Sequence, residues 1–375
     1  MPWREVSIMD ARIEFVTLAK KEGANRRELC RRFGISAQTG YKWLARAREG
    51  DVSFEDRSRR PKRSPRKSSA AVEAAVLAIR DRNPAWGAHK IRRILKRTRK
   101  TVPASSTVHR ILVRHQRIAP AAGACTALQR FEKAAPNQLW QMDFKGRVQL
   151  KRGWCHPLTV IDDHSRYALC LKACANEQTA TVERALDGVF NRYGLPEAMY
   201  VDNGSPWGDG PYGSWTRFEV WLLKLGVDLL HSRPYHPQSR GKNERFHRTL
   251  KAEVFALNSF CDLVETQRAF DRWRHVYNHE RPHQALDQEV PASRYRASPR
   301  RPSKQAIDIP YAPGEILRRV GARYSYVSFQ GVLIKVPQAL RGELLAIRPQ
   351  ATNGRYGVFF GAHQITEVDL NNPSR

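Results

Sequence analysis

From about residue 136 the chain alternates strand-like runs with amphipathic helices, and that alternation constrains the fold more than any other feature. Residues 139–144, 157–162 and 167–173 carry the apolar and β-branched texture of strands, and 179–193 reads as a helix. A further strand, 197–201, runs into Asp202-Asn203-Gly204. Residues 216–225 read as helix, 227–231 as a short strand, and 243–256 and 263–279 as helices. Antiparallel strands followed by alternating helices and strands predict an α/β domain.

The two flanks differ from this middle. Residues 11–49 read as helices. Gly34 suits a left-handed turn, and Ser36 suits the cap of the next helix, which carries Gln38, Thr39, Tyr41, Lys42 and Trp43. A helix, a short glycine turn and a capped basic helix form the helix-turn-helix pattern, whose second helix enters the major groove. Residues 56–69 are rich in Arg, Lys, Ser and Pro and cannot form a core. A second helical unit follows, with a basic face at Arg92, Arg93, Lys96 and Arg97 and a last helix expected to be capped by Ser105 or Ser106. After Pro302 the chain turns β-rich: residues 324–329, 332–336, 343–347 and 355–360 read as short strands, a spacing that predicts a small barrel.

Charge gives the first functional clue. The formal net charge is +29, of which residues 1–130 hold +20. A basic N-terminal third with few compensating acids is the electrostatic footprint of a nucleic-acid binder. Gln38, Thr39 and Lys42 in the first unit, and Thr107, His109 and Arg110 in the second, are the residues expected to reach DNA bases. Lys62 and Arg63 of the linker are expected to follow phosphates. No apolar run is long enough for a membrane span, and residues 1–10 lack a signal-peptide core. A cytoplasmic, nucleoid-associated protein is expected. The six cysteines form no CxxC pair, which argues against a zinc ribbon or a disulfide framework. Cys170 and Cys174 read as small buried hydrophobes on one strand face.

Three acids stand out by position. Asp143 sits inside an apolar strand between Met142 and Phe144, which is costly without a partner or a metal. Asp202 ends another strand. Glu244 lies in the first turn of a helix, after His236-Pro237-Gln238-Ser239-Arg240-Gly241. Each alone is weak evidence, because Asp202-Asn203-Gly204 could be only a turn and Glu244 only a helix-dipole acid. Their order, strand, strand end and helix start, is far more specific. Three carboxylates without a His/Cys cluster favour a hard cation such as Mg²⁺ or Mn²⁺. Asp162 and Asp163 read as turn and structural residues, since successive strand residues face opposite sides.

At these residues the chain resembles a family. Residues 140–286 resemble the retroviral-integrase-like core of bacterial insertion-sequence DDE transposases. Trp140-Gln141-Met142-Asp143 is similar to the first acidic motif of that family, Asp202-Asn203-Gly204-Ser205-Pro206 to the second, and His236 through Arg245 to the third. Ile161 through Tyr167, and Tyr277-Asn278 with Arg281-Pro282-His283, are similar to its structural blocks. Between Asp202 and Glu244 stand 41 residues, somewhat more than is usual in the family, and Gly208 to Gly213 reads as a small insertion.

The resemblance implies a ribonuclease-H-like fold and metal-dependent DNA cleavage and strand transfer without a covalent protein–DNA intermediate. It implies Asp143, Asp202 and Glu244 as catalytic ligands of two Mg²⁺ (or Mn²⁺) ions. Arg248 and Lys251, four and seven residues past Glu244, share its helix face and are expected to grip DNA. Expected partners are double-stranded DNA, both the element's terminal inverted repeats and its target, and further copies of the chain, at least a dimer on DNA. The expected organisation is a helix-turn-helix domain over 1–52, a basic linker over 53–69, a second helix-turn-helix domain over 70–120, the catalytic core over 136–290 and a small β-barrel over 310–370. The alternatives are a non-catalytic DNA-binding regulator derived from a transposase and a metal nuclease without strand transfer. The presence of all three acids argues against the regulator.

Overall fold

The computed structural model describes residues 7–50, 53–57, 67–118, 132–208, 215–231, 241–303 and 308–372. It divides into two compact units, Met1–Lys67 and Ser68–Arg375. Lys62, Arg63, Cys125 and the first half of the motif, His236 to Arg240, lie outside the described residues, as does most of the expected insertion.

The first unit is three helices, α1 (Ile8–Ala19), α2 (Arg26–Arg32) and α3 (Ala37–Arg48). Each start is capped by a side chain that accepts a backbone N–H: Ser7 from Asp10, Asn25 from Glu28, and Ser36 from Thr39. Gly34 takes φ +63° in the turn between α2 and α3, as the sequence predicted. Phe15, Val16, Ala19, Cys30, Trp43 and Leu44 form the core. Gly40 lets α3 pack closely, because a Cβ there would stand 2.5 Å from the Cys30 sulfur.

The second unit opens with α4 (Ala70–Arg82), α5 (Ala88–Thr98) and α6 (Ser105–Arg114) around Val76, Ile91, Leu95, Val108, Ile111 and Leu112. The expected serine cap is absent. Ala104 is the N-cap, without a side-chain hydrogen bond, and Ser105 is already helical. The extended backbone after Pro103 ends one residue earlier than expected. Part of the basic face on α5 is also turned inward: Arg93 pairs with Glu289, and Arg97 donates to the Glu280 carbonyl.

A mixed sheet follows, built from β1 (Leu139–Phe144), β2 (Val148–Gln149), β3 (Trp154–Asp162), β4 (Ala168–Cys174), β5 (Ala198–Val201) and β6 (Asp228–His231). β3 lies between β4 and β1 and is antiparallel to both, while β5 and β6 continue parallel to β1. Helices α7 (Thr179–Tyr193) and α8 (Arg217–Lys224) cover one face, packing Val182, Leu186, Phe190, Phe218 and Leu222 on Trp140, Met142, Leu158 and Val160. Helices α9 (Gly241–Leu250) and α10 (Leu263–His279) cover the other, packing Phe246, Leu250, Phe270 and Trp273 on Ile161, Ala168 and Leu171. A π-helical turn, Lys251–Phe255, extends α9. Cys170 and Cys174 are buried free thiols.

The C-terminal part is strand-rich. β7 (Ile316–Arg319), β10 (Leu344–Pro349), β11 (Arg355–Phe360) and β12 (His363–Asp369) form an antiparallel sheet in the order β12-β11-β10-β7. A hairpin of β8 (Tyr326–Phe329) and β9 (Val332–Lys335) closes over the same core, where Val327, Phe329 and Ile334 meet Leu345, Ile347 and Val358. Val220 and Leu223 of α8 join that core, and Lys224 pairs with Glu343 at 3.0 Å.

Candidate active site

Strand alternation aims the first acid. Trp140 and Met142 of β1 point into the core under α7 and α8, so Gln141 and Asp143 point toward α9. β5 runs parallel beside β1, with Gln141 opposite Tyr200. Asp143 follows Gln141 by two residues on β1, and Asp202 follows Tyr200 by two, directly after β5 ends at Val201. Phe246 and Leu250 bury one side of α9 on the sheet, which carries Glu244, in the first turn, past β1 with an exposed side chain.

His247 was not singled out in the sequence, yet α9 sets it beside Asp143. Its Nδ1 lies 4.0 Å from Asp143 Oδ2, and its Nε2 is 2.9 Å from Thr159 Oγ1. Thr159 donates its only hydroxyl proton to the Asp143 carbonyl at 2.9 Å, so its oxygen accepts from His247 Nε2–H. Burial, aided by Lys145, pushes the His247 pKa down to about 4, which keeps the ring neutral. Lys145 lies beside it. Burial, and then the neighbouring Lys251, lowers its pKa from the ordinary lysine value.

Asp202 is held differently. Its Oδ1 accepts the Gly204 N–H at 3.0 Å and the Trp207 indole N–H. His231 Nδ1 donates to its carbonyl at 3.0 Å. Trp207 in turn stacks on Phe144, with ring centroids 5.4 Å apart, and so ties the Asp202 turn to the residue after Asp143.

Asp162 and Asp163 are fully buried acceptors, as the strand-turn reading expected. Asp162 takes hydrogen bonds from the backbone of Asn137 and from Ser165, while burial raises its pKa. Asp163 accepts from Gln141 Nε2 and the Lys133 N–H, both at 2.8 Å, and pairs with Lys242. That ion pair anchors α9 two residues before Glu244.

The expected DNA-contacting residues fall into two groups. Gln38 and Lys42 are exposed on α3, whereas Thr39 is half-buried with its hydroxyl 2.9 Å from the capping Ser36. His109 and Arg110 are exposed on α6, and Arg110 reaches back to Thr107 Oγ1 at 3.4 Å. Arg248 and Lys251 are exposed on and after α9. The residues missed by the sequence reading are His247, Trp207, Lys145 and Lys242. Only His247 left a signal, one helical turn from Glu244.

Among the described residues, no three His, Cys, Asp or Glu side chains converge tightly enough to hold a metal ion. The donor chemistry still suits one: the acids at the two strand ends and on α9 offer only carboxylate oxygens, which hard divalent cations prefer. No helix among the described residues is long and apolar enough to cross a membrane.

Comparison with known proteins agrees with the architecture. Residues 133–237 and 225–291 match models of the integrase core domain. Residues 11–62 match a helix-turn-helix domain, 39–112 a homeodomain-like domain, and 317–375 the C-terminal domain of the IS481 family transposases. The chain is 28% identical over 182 residues to an uncharacterized 39.2 kDa protein of insertion element IS476 from Xanthomonas euvesicatoria, covering 48% of this chain and 49% of that protein. It is also 28% identical over 167 residues to a 31.7 kDa protein of insertion element IS407 from Burkholderia multivorans, covering 44% and 58%. The match thus spans about half the length of these relatives. A simian T-cell lymphotropic virus intasome chain aligns with TM-score 0.38 and 16% identity over 71% of this chain and 92% of its own. The chain carries helix-turn-helix domains, an integrase core of ribonuclease-H-like α/β fold, and a strand-rich C-terminal region.

Proposed function

We propose that this chain, an integrase core joined to helix-turn-helix domains, is a DDE transposase that cleaves the ends of an insertion element and joins them to target DNA. The observation that carries the proposal is the parallel register of β1 and β5. Continued by two residues past Gln141 and Tyr200, that register supports a reading in which Asp143 and Asp202 neighbour each other, with Glu244 in the first turn of α9 as the third acid.

In this reading Asp143, Asp202 and Glu244 hold two Mg²⁺ or Mn²⁺ ions. When bound, such ions activate a water or a 3′-hydroxyl and stabilise the leaving oxygen. The protein supplies the positions. Thr159 and His247 fix the end of β1 at Asp143. Trp207 and Gly204 orient the Asp202 carboxylate, and the buried Asp163–Lys242 pair sets where α9 begins. Lys145, Arg248 and Lys251 supply positive charge for the phosphates. In the displacement, the attacking oxygen bonds to phosphorus and the opposite oxygen leaves with its electron pair, with no bond to the protein. Residues 1–52 and 70–120 serve as sequence readers joined by the linker 53–69, which begins by packing Phe54 on the first reader and then follows phosphates, and residues 310–370 add a strand-rich region that shares its core with α8. In this reading the protein acts in the cytoplasm, at the nucleoid.

The test is metal dependence on an end-containing duplex. Mg²⁺ or Mn²⁺ supports cleavage and joining, and excess chelator stops both. Ca²⁺, with its looser geometry, permits assembly with little chemistry. Full activity in excess chelator would overturn the reading.

A further inference from the structure

The segment from Lys145 to Trp154, Lys-Gly-Arg-Val-Gln-Leu-Lys-Arg-Gly-Trp, begins two residues after Asp143 and holds four basic residues and no acid. It forms the β2–β3 hairpin at the end of the sheet. Arg147, Lys151, Arg152 and Trp154 are all exposed, Trp154 by 44%. The Arg147 guanidinium lies 4.7 Å above the Trp154 ring. Cation–π contact of this kind holds a charge in place without consuming it.

The tip is not a loose loop. Leu150 is buried and its N–H bonds Gly153 O at 2.9 Å, while Gly153 takes φ +86° to close the turn. The N–H groups of Lys151 and Arg152 bond the carbonyls of Phe260 and Cys261 at 3.0 and 2.9 Å. The acids of that facing segment are turned to capping: Asp262 accepts from the Glu265 N–H, and Glu265 from the Cys261 N–H. Among the described residues none forms an ion pair with Arg147, Lys151 or Arg152.

We propose that this hairpin grips the backbone of duplex DNA flanking the bond to be cleaved. A rigid, exposed, acid-free tip with three cations matches a row of phosphates, and the indole edge beside Arg147 suits the sugar face. The proposal rests on the reading that Asp143 marks the cleavage point. Asp143 pairs with Thr159, five residues along β3 from Trp154. At about 3.4 Å per strand residue the Arg147–Trp154 pair lies roughly 17 Å from that point. With a rise of about 3.4 Å per nucleotide along the helix axis, a duplex lying along β3 puts the contact about five nucleotides to one side of the cleaved bond.

The test uses the full chain with Ca²⁺ and end-containing duplexes whose flanks are trimmed from either side. The triple variant Arg147→Gln, Lys151→Gln, Arg152→Gln keeps its melting temperature, since all three side chains are exposed. Its affinity becomes less salt-dependent, the slope of log K against log salt falling by about 2–3. The difference disappears when one flank is cut to fewer than about five base pairs. Bromodeoxyuridine walked along that flank cross-links to the hairpin near the fifth position. An unchanged salt slope in the triple variant, or cross-links to the hairpin on neither flank, overturns the proposal. If the wild-type chain cleaves end DNA while either of those results is found, only the hairpin assignment falls. If it cleaves nothing in Mg²⁺ or Mn²⁺, the transposase reading falls with it.

Discussion

At the scale of single residues, the candidate site rests on polar side chains that the fold buries. Asp163 is the clearest case, with a side chain wholly out of solvent opposite Lys242. Replacing Lys242 by Met leaves that carboxylate without its cation and destabilises the fold by about 3–5 kcal/mol. Adding Asp163→Asn to the same variant restores much of the loss, because the amide keeps the shape without the buried charge. Denaturant unfolding of the single and double variants measures both. Equal stability of Lys242→Met and wild type would show that the pair contributes nothing to where α9 begins. Asp143 itself was legible as an acid placed against the grain of an apolar strand. Trp207 and Lys242 were not, and His247 showed only its place one helical turn from Glu244. Their roles come from neighbours distant in sequence, Thr159, Phe144 and Asp163, and no spacing in the chain encodes those contacts.

Among the elements, α3 and α5 make separate predictions. On α3, Gln38 is exposed while Thr39 is engaged with Ser36, so under the proposed function discrimination between element ends and random DNA should depend on Gln38 more than on Thr39. Gln38→Ala should lower that ratio by about 1–3 kcal/mol, and Lys42→Ala should weaken both DNAs alike. Competition binding separates the two effects. On α5, burial, aided by Arg281, depresses the Lys90 pKa to about 8. Between pH 8 and the unfolded value near 10.5 the unfolded chain holds a proton that the fold does not, so stability rises with pH across that window. Below pH 8 the buried charge is a constant cost. Lys90→Met should therefore raise stability at pH 7 by on the order of 2 kcal/mol and flatten the rise above pH 8. A pH series of melting curves decides it. Element by element, the sequence predicted the central strands and helices well, because β1, α7 and α10 have clean periodicity and clear ends. β7 and β12 escaped it. Their strands are half exposed and mix charged with apolar residues, so no alternation marks them. The start of α6 was displaced because the capping serines follow, rather than precede, the end of the extended segment.

For the whole molecule, the charge of +29 and the helix-turn-helix domains make DNA the natural partner, and the proposed joining of two element ends predicts at least two protomers on DNA. Sizing the complex on paired end duplexes in Ca²⁺ should give a dimer or larger, and a monomer that still joins both ends would contradict this. The fragment 1–120, which carries most of the charge, should footprint element ends without the core. End preference found in the isolated core alone would move recognition elsewhere. The central claim is that Asp143, Asp202 and Glu244 form one catalytic site, and its most direct test separates binding from chemistry. Asp143→Asn, Asp202→Asn and Glu244→Gln are each assayed on the same end-containing duplex in Mg²⁺, for binding and for strand cleavage and joining. The account predicts binding within a few-fold of wild type, with cleavage and joining lost in all three variants. Near-normal strand transfer by any one of them would remove that residue from the site and contradict the account.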